Sequence, residues 1–188
     1  MLKRRIERLM NRIKRLAVLV FTLKKGKEQL GVVGHTLMQK LFYLLQCGEG
    51  VELGYKYKLH YYGPYSRELW SDLNLLANEK VVNIEANPNG YGYKIELLEG
   101  ENTNLLLNEV DKNIKEKIFK LLKLLGKKRV ENLEAMATLH YVYSDLRKRE
   151  KEFEDEKIIN LTQNLKPHLT NEVLLNAIER LRENQLIS

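Results

Sequence analysis

Apolar side chains recur every three or four residues at the start of the chain, which predicts an amphipathic helix over residues 2–25. The positions of this stripe are Leu2, Ile6, Leu9, Ile13, Leu16, Val20 and Leu23. We expect residues 14–25 to pack on the rest of the protein while the basic side chains are solvated. The same spacing suits a partner helix, so a homodimer through the heptad at Leu2 to Leu23 is an open alternative.

The next apolar positions change from a helical to a strand-like period. A glycine-rich turn is predicted over residues 24–34, and Thr36 is expected to cap a helix that ends near Cys47. At this helix end Cys47 is expected to be a buried, inert thiol. Residues 55–62 then alternate as a strand does and are rich in tyrosine.

A Gly-Pro corner joins this strand to another helix. Pro64 disfavours the helical region for Gly63, so the strand is expected to end there. Ser66 is a predicted N-cap for a helix that runs to about Asn78. Two strands, 81–84 and 91–97, follow around the turn Asn87-Pro88-Asn89-Gly90. Helix, strand, helix and hairpin is the order of a winged helix-turn-helix unit.

The second half of the chain carries helical periodicity almost throughout. The predicted segments are residues 107–125, 130–146, 158–165 and 170–183. Residues 76–82 also align with residues 181–187, each a helix end followed by a polar break and two aliphatic residues. This echo predicts a truncated second helix-turn-helix at the end of the chain.

These patterns together predict a mostly helical α+β protein with a winged-helix-like N-terminal core and a β-hairpin wing. The expected division is a basic helical extension over 1–12, a winged-helix-like domain over 13–100, and a helical subdomain over 101–188 packed on the first.

The positive charge is concentrated at one end of the chain. The 188 residues carry a net charge of +7, but residues 1–30 hold ten Lys or Arg against two Glu, so the remaining residues sum to −1. A nucleic acid would therefore be bound mainly through this first helix. The residues that could contact phosphates are Arg4, Arg5, Arg8, Arg12, Lys14 and Arg15.

The two helices that would take the recognition position in the predicted helix-turn-helix units, residues 66–80 and 170–183, lack such an excess of positive charge. Residues 66–80 carry two basic and three acidic side chains, and the last helix has the same excess of acid. These two helices are poorly suited to approach a polyanion.

The sequence offers no pattern typical of an enzyme. The four histidines are scattered, the single cysteine excludes a Cys-based zinc cluster, and no Gly-rich phosphate loop is present. The apolar run of eight residues at 16–23 is too short to cross a bilayer, which takes about 20 residues. We therefore expect a cytoplasmic, non-catalytic protein with no cofactor, no metal and no membrane contact.

Several short motifs carry a resemblance to a known family. They are Gln39-Lys40-Leu41-Phe42-Tyr43-Leu44, Gly54-Tyr55, Tyr57-Lys58-Leu59, Tyr62-Gly63-Pro64-Tyr65-Ser66 and Leu165-Lys166-Pro167-His168, with Leu69, Leu73 and Val81-Val82 between them. Together they resemble the Panacea (SocA-like antitoxin) superfamily, and in particular its uncharacterised YwgA-like branch. The likeness covers residues 14–187, and the basic segment 2–12 departs from it.

The resemblance implies a winged-helix-like domain that binds proteins, either to neutralise a toxin or to act as an adaptor, and it implies no catalytic residue. Tyrosine-rich surfaces are also frequent at protein interfaces. The predicted partner-binding residues are Lys40, Tyr43, His60, Tyr62, Gly63, Pro64, Tyr65, Ser66 and Arg67. The alternative is a DNA-associated transcriptional regulator that uses the basic N-terminal helix.

Overall fold

The computed structural model describes residues 2–87, 92–125, 130–150 and 152–188. Within these ranges the chain forms eight α-helices and two two-stranded antiparallel sheets, which confirms a mostly helical α+β fold. The helices are α1 Leu2–Leu30, α2 His35–Tyr43, α3 Arg67–Asn78, α4 Glu101–Asn108, α5 Lys112–Leu125, α6 Val130–Arg149, α7 Asp155–Leu165 and α8 Asn171–Glu183. The strands are β1 Lys58–His60, β2 Gly63–Tyr65, β3 Val82–Ala86 and β4 Tyr93–Leu97.

Helix α1 is longer than the sequence predicts, because it continues to Leu30 through the expected turn. Gly26 lies inside it and is buried, and a β-carbon there would come within 3.0 Å of Val33 Cγ2. Close packing at this point therefore offsets the low helix propensity of glycine. The part of α1 around Ala17 to Leu23 is buried in the core, as expected.

The N-terminal half of α1 is not covered in the same way. Ile6, Leu9 and Ile13 are 46%, 56% and 48% exposed. Only these positions of the described stripe are therefore free for a partner helix, and the homodimer stays a prediction.

Helix α2 begins at His35 rather than at a Thr36 cap, so that prediction is wrong. Gly34 occupies the N-cap position without a side-chain bond. Gly34 also forms a bridge with Lys94, and the Ile95 amide donates to the Val33 carbonyl at 2.9 Å. The helix starts here because the preceding residues are bound to β4.

The end of this helix also differs from expectation, because Cys47 is exposed. Leu44–Gly48 form a π-helical turn in which the Glu49 amide donates to the Leu44 carbonyl at 2.9 Å. The wider turn puts Cys47 out of phase with the buried Leu44 and Leu45.

The predicted strand over 55–62 is largely replaced by a hairpin. Only Lys58–His60 form β1, and Gly63–Tyr65 form the antiparallel β2 rather than ending the sheet. Leu59 pairs with Pro64, and His60 pairs with Gly63. The chain reverses at Tyr61 and Tyr62, two residues earlier than the Gly-Pro corner suggests.

The helix and wing after this hairpin agree with the prediction. The Ser66 hydroxyl accepts from the Leu69 amide at 3.3 Å and caps α3. Strands β3 and β4 pair antiparallel, with Ile84 opposite Ile95. Three residues of the predicted turn between them, Pro88 to Gly90, lie outside the described residues.

The echo between residues 76–82 and 181–187 is a structural repeat. Lys80 and Gln185 both have positive φ, 54° and 57°. The Val81 amide donates to the Leu76 carbonyl at 2.8 Å, and the Leu186 amide donates to the Leu181 carbonyl at 2.9 Å. Both helices thus end in the same Schellman-type turn, without the glycine that usually occupies it.

The helix predicted over 107–125 begins only at Lys112 as α5, and residues 107 and 108 end a separate helix, α4, which was not predicted. Asp111 accepts from the Lys115 amide at 3.0 Å, as a residue at a new helix start does. Helix α6 is central: residues 133–140 are all buried, and the helix packs against α2, β2, α7 and α8. Side chains from both halves join one hydrophobic core.

Candidate functional site

Helix α2, the β1–β2 hairpin and the start of α3 enclose a cleft of about 410 Å³, which we call the Lys40 cleft. Its lining residues are His35, Thr36, Gln39, Lys40, His60, Tyr62, Gly63, Pro64, Tyr65 and Arg67. None of these described residues is acidic.

The cleft brings together seven of the nine residues predicted to bind a partner. They are Lys40, His60, Tyr62, Gly63, Pro64, Tyr65 and Arg67. Ser66 is instead buried as the cap of α3, and Tyr43 is buried beside α6. A partner-binding role for the seven stays a prediction.

Two glutamine side chains of the α2 segment hold the aromatic segment in place. Gln39 Oε1 accepts from the Ser66 amide at 2.8 Å, and its Nε2 donates to the Ser66 carbonyl at 3.0 Å. Gln46 makes the same pair of bonds with Tyr55, both at 2.8 Å. Each glutamine amide bonds to the backbone N–H and C=O that a neighbouring strand would otherwise bind. Tyr55 and Ser66, the two ends of the aromatic segment, are therefore fixed against the α2 segment.

Gly63 forms the part of the hairpin that lies directly over Lys40. Its φ is +97°, which favours glycine. A β-carbon there would lie 3.3 Å from Thr138 Oγ1, 3.5 Å from Lys40 Cε and 3.8 Å from Lys40 Nζ. The main chain can approach the lysine so closely only because Gly63 has no side chain.

Lys40 lines this cleft although its side chain is almost completely buried. It is 2% exposed, and burial lowers its pKa to about 8, with Lys166 acting in the same direction and Glu134 opposing it. The amine is still mainly protonated at neutral pH. A buried ammonium carries a free-energy cost unless it is paired.

The groups beneath Lys40 come from the second half of the chain, and sequence reasoning did not assign them. Lys166 Nζ donates to the His60 carbonyl at 2.8 Å and lies 3.4 Å from Glu134 Oε1. His168 Nε2 lies 3.4 Å from the same oxygen. Glu134 stands within the apolar stretch 133–139, and such an isolated carboxylate is a usable signal for a buried pair.

His35 forms an aromatic wall of the cleft and is uncharged. Its ring centroid lies 4.3 Å from that of Trp70 and 5.8 Å from that of Tyr65. Because Gln39 Oε1 accepts from Ser66, its Nε2 faces His35 Nε2 at 3.2 Å, so that nitrogen must be the acceptor. Burial lowers the pKa of His35 to about 4, so the ring is uncharged at neutral pH, as the hydrogen bond also requires.

A second histidine, His140, is buried outside the cleft. The Tyr43 hydroxyl lies 2.9 Å from His140 Nδ1, and the Leu186 backbone also bonds to this imidazole. Burial lowers its pKa to about 4. The neutral ring therefore connects α2, α6 and the end of the chain.

Two of the predicted nucleic-acid-binding residues are bound within the protein. Arg12 Nε lies 3.3 Å from Asp72 Oδ1, and an Arg15 terminal nitrogen lies 2.9 Å from Asp72 Oδ2. Lys14 is exposed, whereas the side chains of Arg4, Arg5 and Arg8 lie outside the described ones. Nucleic-acid binding by this set stays a prediction.

Two other clefts formed by described residues lack a comparable buried charge. Clefts of about 440 and 450 Å³ lie along α7 and near the C-terminal residue, and their charged lining residues are exposed. Among the described helices, none combines the length and the hydrophobicity that a bilayer span requires. In the described ranges, no three His, Cys, Asp or Glu side chains are grouped as metal ligands would be.

No family model and no curated protein matches this chain.

Proposed function

We propose that this is a non-catalytic regulatory binding protein of the antitoxin or adaptor type, which contacts another protein through the Lys40 cleft. The proposal rests mainly on the convergence of the Panacea-like motifs at this cleft. Gln39 and Lys40 on α2 and the residues from Tyr62 to Tyr65 belong to separate motifs, and the hairpin brings these residues to one cleft. A cytoplasmic location is part of the proposal.

The rim of the cleft has the composition of a protein interface. Tyr61 and Tyr62 are 70% and 51% exposed at the tip of the hairpin, with their ring centroids 4.9 Å apart. Arg67 is exposed at the first turn of α3. Tyrosine and arginine contribute strongly to binding energy at such surfaces, because they combine large contact area with directed polar groups.

The contacts of the half-buried His35 and the buried His140 support a non-catalytic role. A general base must reach the proton that it abstracts. His35 Nε2 faces the Gln39 amide, and His140 Nδ1 faces the Tyr43 hydroxyl. Both imidazoles are therefore engaged in contacts within the protein.

The test is co-purification of partners from host cells with a tagged chain, compared across variants. We expect Tyr62→Ser and Arg67→Ala each to lower recovery of specifically bound protein at least about tenfold. The matched control is Arg149→Ala, which removes an exposed arginine on α6. Equal recovery with Arg67→Ala and with the unchanged chain would overturn the proposed site.

The positive charge of residues 1–30 supports DNA-associated regulation as a second candidate. A duplex titration of the unchanged chain and an Arg4→Ala/Arg5→Ala/Arg8→Ala variant separates the two. Binding that falls steeply with salt and is lost in the triple variant would favour regulation through DNA. Equal, weak binding by both forms would favour the protein-binding role.

A further inference from the structure

Three buried charged side chains lie beneath the hairpin, and their charges do not balance. Lys40, Glu134 and Lys166 are 2%, 7% and 3% exposed. With both amines protonated, the group has a net charge of +1. Buried charges are normally paired, so this excess needs an explanation.

The carboxylate lies near two other basic groups, although its Oε1 has no hydrogen-bond partner among the described residues. Glu134 Oε1 lies 3.4 Å from Lys166 Nζ and 3.4 Å from His168 Nε2. No described residue accepts a hydrogen bond from Lys40 Nζ. Thr138 Oγ1 is also buried without a hydrogen-bond partner, beside Gly63. Lys40 is thus a buried cation at the wall of an open cleft, attracted by Glu134 but without a hydrogen-bond acceptor among the described residues.

The rest of the cleft is suited to a negatively charged group. Arg67 provides a second cation at the rim, and the ten lining residues include no carboxylate. His35 is neutral, and its ring meets that of Tyr65 edge to face, with the two centroids 5.8 Å apart. A side chain entering the cleft would therefore meet an aromatic wall first and an ammonium at depth.

We infer that the Lys40 cleft binds the carboxylate of a glutamate or aspartate side chain of the protein partner. A monoanion fits better than a phosphate dianion, because one negative charge balances the excess while Glu134 nearby opposes a second. The volume of about 410 Å³ admits a side chain and its methylene groups. The inference rests on the proposed function and specifies the chemistry that the site recognises.

The experiment uses capped single residues as probes with the full chain. N-acetyl-L-glutamate N-methylamide is titrated into isotope-labelled protein, with the isosteric glutamine compound as the neutral probe. Backbone amide shifts of Gly63, Tyr65 and Arg67 report binding. Lys40→Met and Arg67→Gln are the test variants, and Lys58→Met is the control because Lys58 is exposed on β1.

We expect the glutamate probe to bind with millimolar affinity and at least about tenfold more tightly than the glutamine probe, as a charge-assisted hydrogen bond implies. Lys40→Met should abolish this preference and Arg67→Gln should reduce it, whereas Lys58→Met should keep it. Because Arg67 is exposed, its variant keeps the test valid if Lys40→Met alters folding.

Equal binding of the two probes, or no response to either up to about 50 mM, would overturn the inference. Binding of inorganic phosphate at Lys40, without binding of the glutamate probe, would also overturn the inference. Because these titrations use no cellular partner, their failure is separate from that of co-purification. A different combination is a partner that co-purification shows to be lost with Arg67→Ala, together with titrations that show no preference for the carboxylate probe. This combination would refute only the inference and not the proposed function.

Discussion

The main chain of Gly63 lies directly over the end of the Lys40 side chain, with 3.8 Å between Lys40 Nζ and the position of a β-carbon on Gly63. We expect Gly63→Ala to lower the free energy of unfolding by about 1–3 kcal/mol, because it combines strain at φ +97° with crowding of Thr138. Urea unfolding measures this loss.

Gly50→Ala is the matched control, since Gly50 also has positive φ, +68°, but a β-carbon there would have no described atom within 4 Å. Gly50→Ala should therefore lose only the part of the stability that backbone strain costs. An equal loss of stability in the two variants would contradict the close approach of the hairpin to Lys40.

Replacing Lys40 or Glu134 by an uncharged residue should change the stability of the fold in opposite directions. Lys40→Met removes the excess buried charge and leaves Glu134 paired with Lys166, so we expect a gain in stability of about 1–3 kcal/mol at pH 7. Glu134→Gln leaves two buried amines without their carboxylate, and we expect a loss of about 2–4 kcal/mol. Denaturant unfolding at pH 7 measures both.

The Lys40→Met gain should also depend on pH. The folded-state pKa of about 8 lies below the ordinary 10.5, so the unfolded chain binds more protons between these values. The contribution of Lys40 to stability therefore rises with pH in this window, and the advantage of Lys40→Met should shrink. An advantage that stays constant from pH 7 to 10 would refute the buried ammonium.

Gln39 should be important for stability through its two bonds to Ser66. Gln39→Leu leaves the Ser66 amide and carbonyl without these partners, and we expect a loss of about 2–4 kcal/mol. Gln29→Leu, on the exposed face of α1, is the control and should change stability little. Similar losses in both variants would mean that the amide does not hold the hairpin.

His140 should make the fold sensitive to acid. Its pKa is about 4 in the folded protein against an ordinary 6.5, so the unfolded chain binds the proton more readily between these values. Stability should fall as pH drops from 6.5 to 4, with about 3 kcal/mol from this residue. His35, whose pKa is also about 4, acts in the same window.

The measurement compares unfolding of the unchanged chain and His140→Gln across this pH range. The variant should be less stable at pH 7, because the Tyr43 hydroxyl loses its acceptor, but should lose less stability on acidification. A pH dependence as steep as that of the unchanged chain would contradict a buried neutral imidazole.

Local signals in the sequence predicted much of the fold. The Ser66 cap, the β3–β4 hairpin and the repeated helix ends each depend on a few neighbouring residues, and the structure confirms them. The start of α2 and the length of α1 were not predictable in this way. They depend on contacts with β4 and Val33, which only the assembled fold provides.

The candidate site shows the same division. The motifs around Lys40 and Gly63 pointed to the cleft because these residues line it themselves. Glu134 and Thr138 were missed, since they come from the second half of the chain through the packing of α6 against α2 and β2. Lys166 was quoted as part of a motif but not assigned to the site, because it follows α7 and reaches the hairpin only in the folded protein. Periodicity places a residue on a face of a helix but does not identify the helix that packs there.

The most direct test of a carboxylate-binding cleft is a measurement of the pKa of Lys40 itself. NMR signals of the side-chain ¹³Cε and ¹⁵Nζ report this pKa, and their absence in Lys40→Met assigns them. In the free protein the pKa should be about 8. Saturation with N-acetyl-L-glutamate N-methylamide should raise it by about one unit, because a bound carboxylate stabilises the ammonium, and the glutamine compound should leave it unchanged. A Lys40 pKa that does not respond to the glutamate probe would contradict the account.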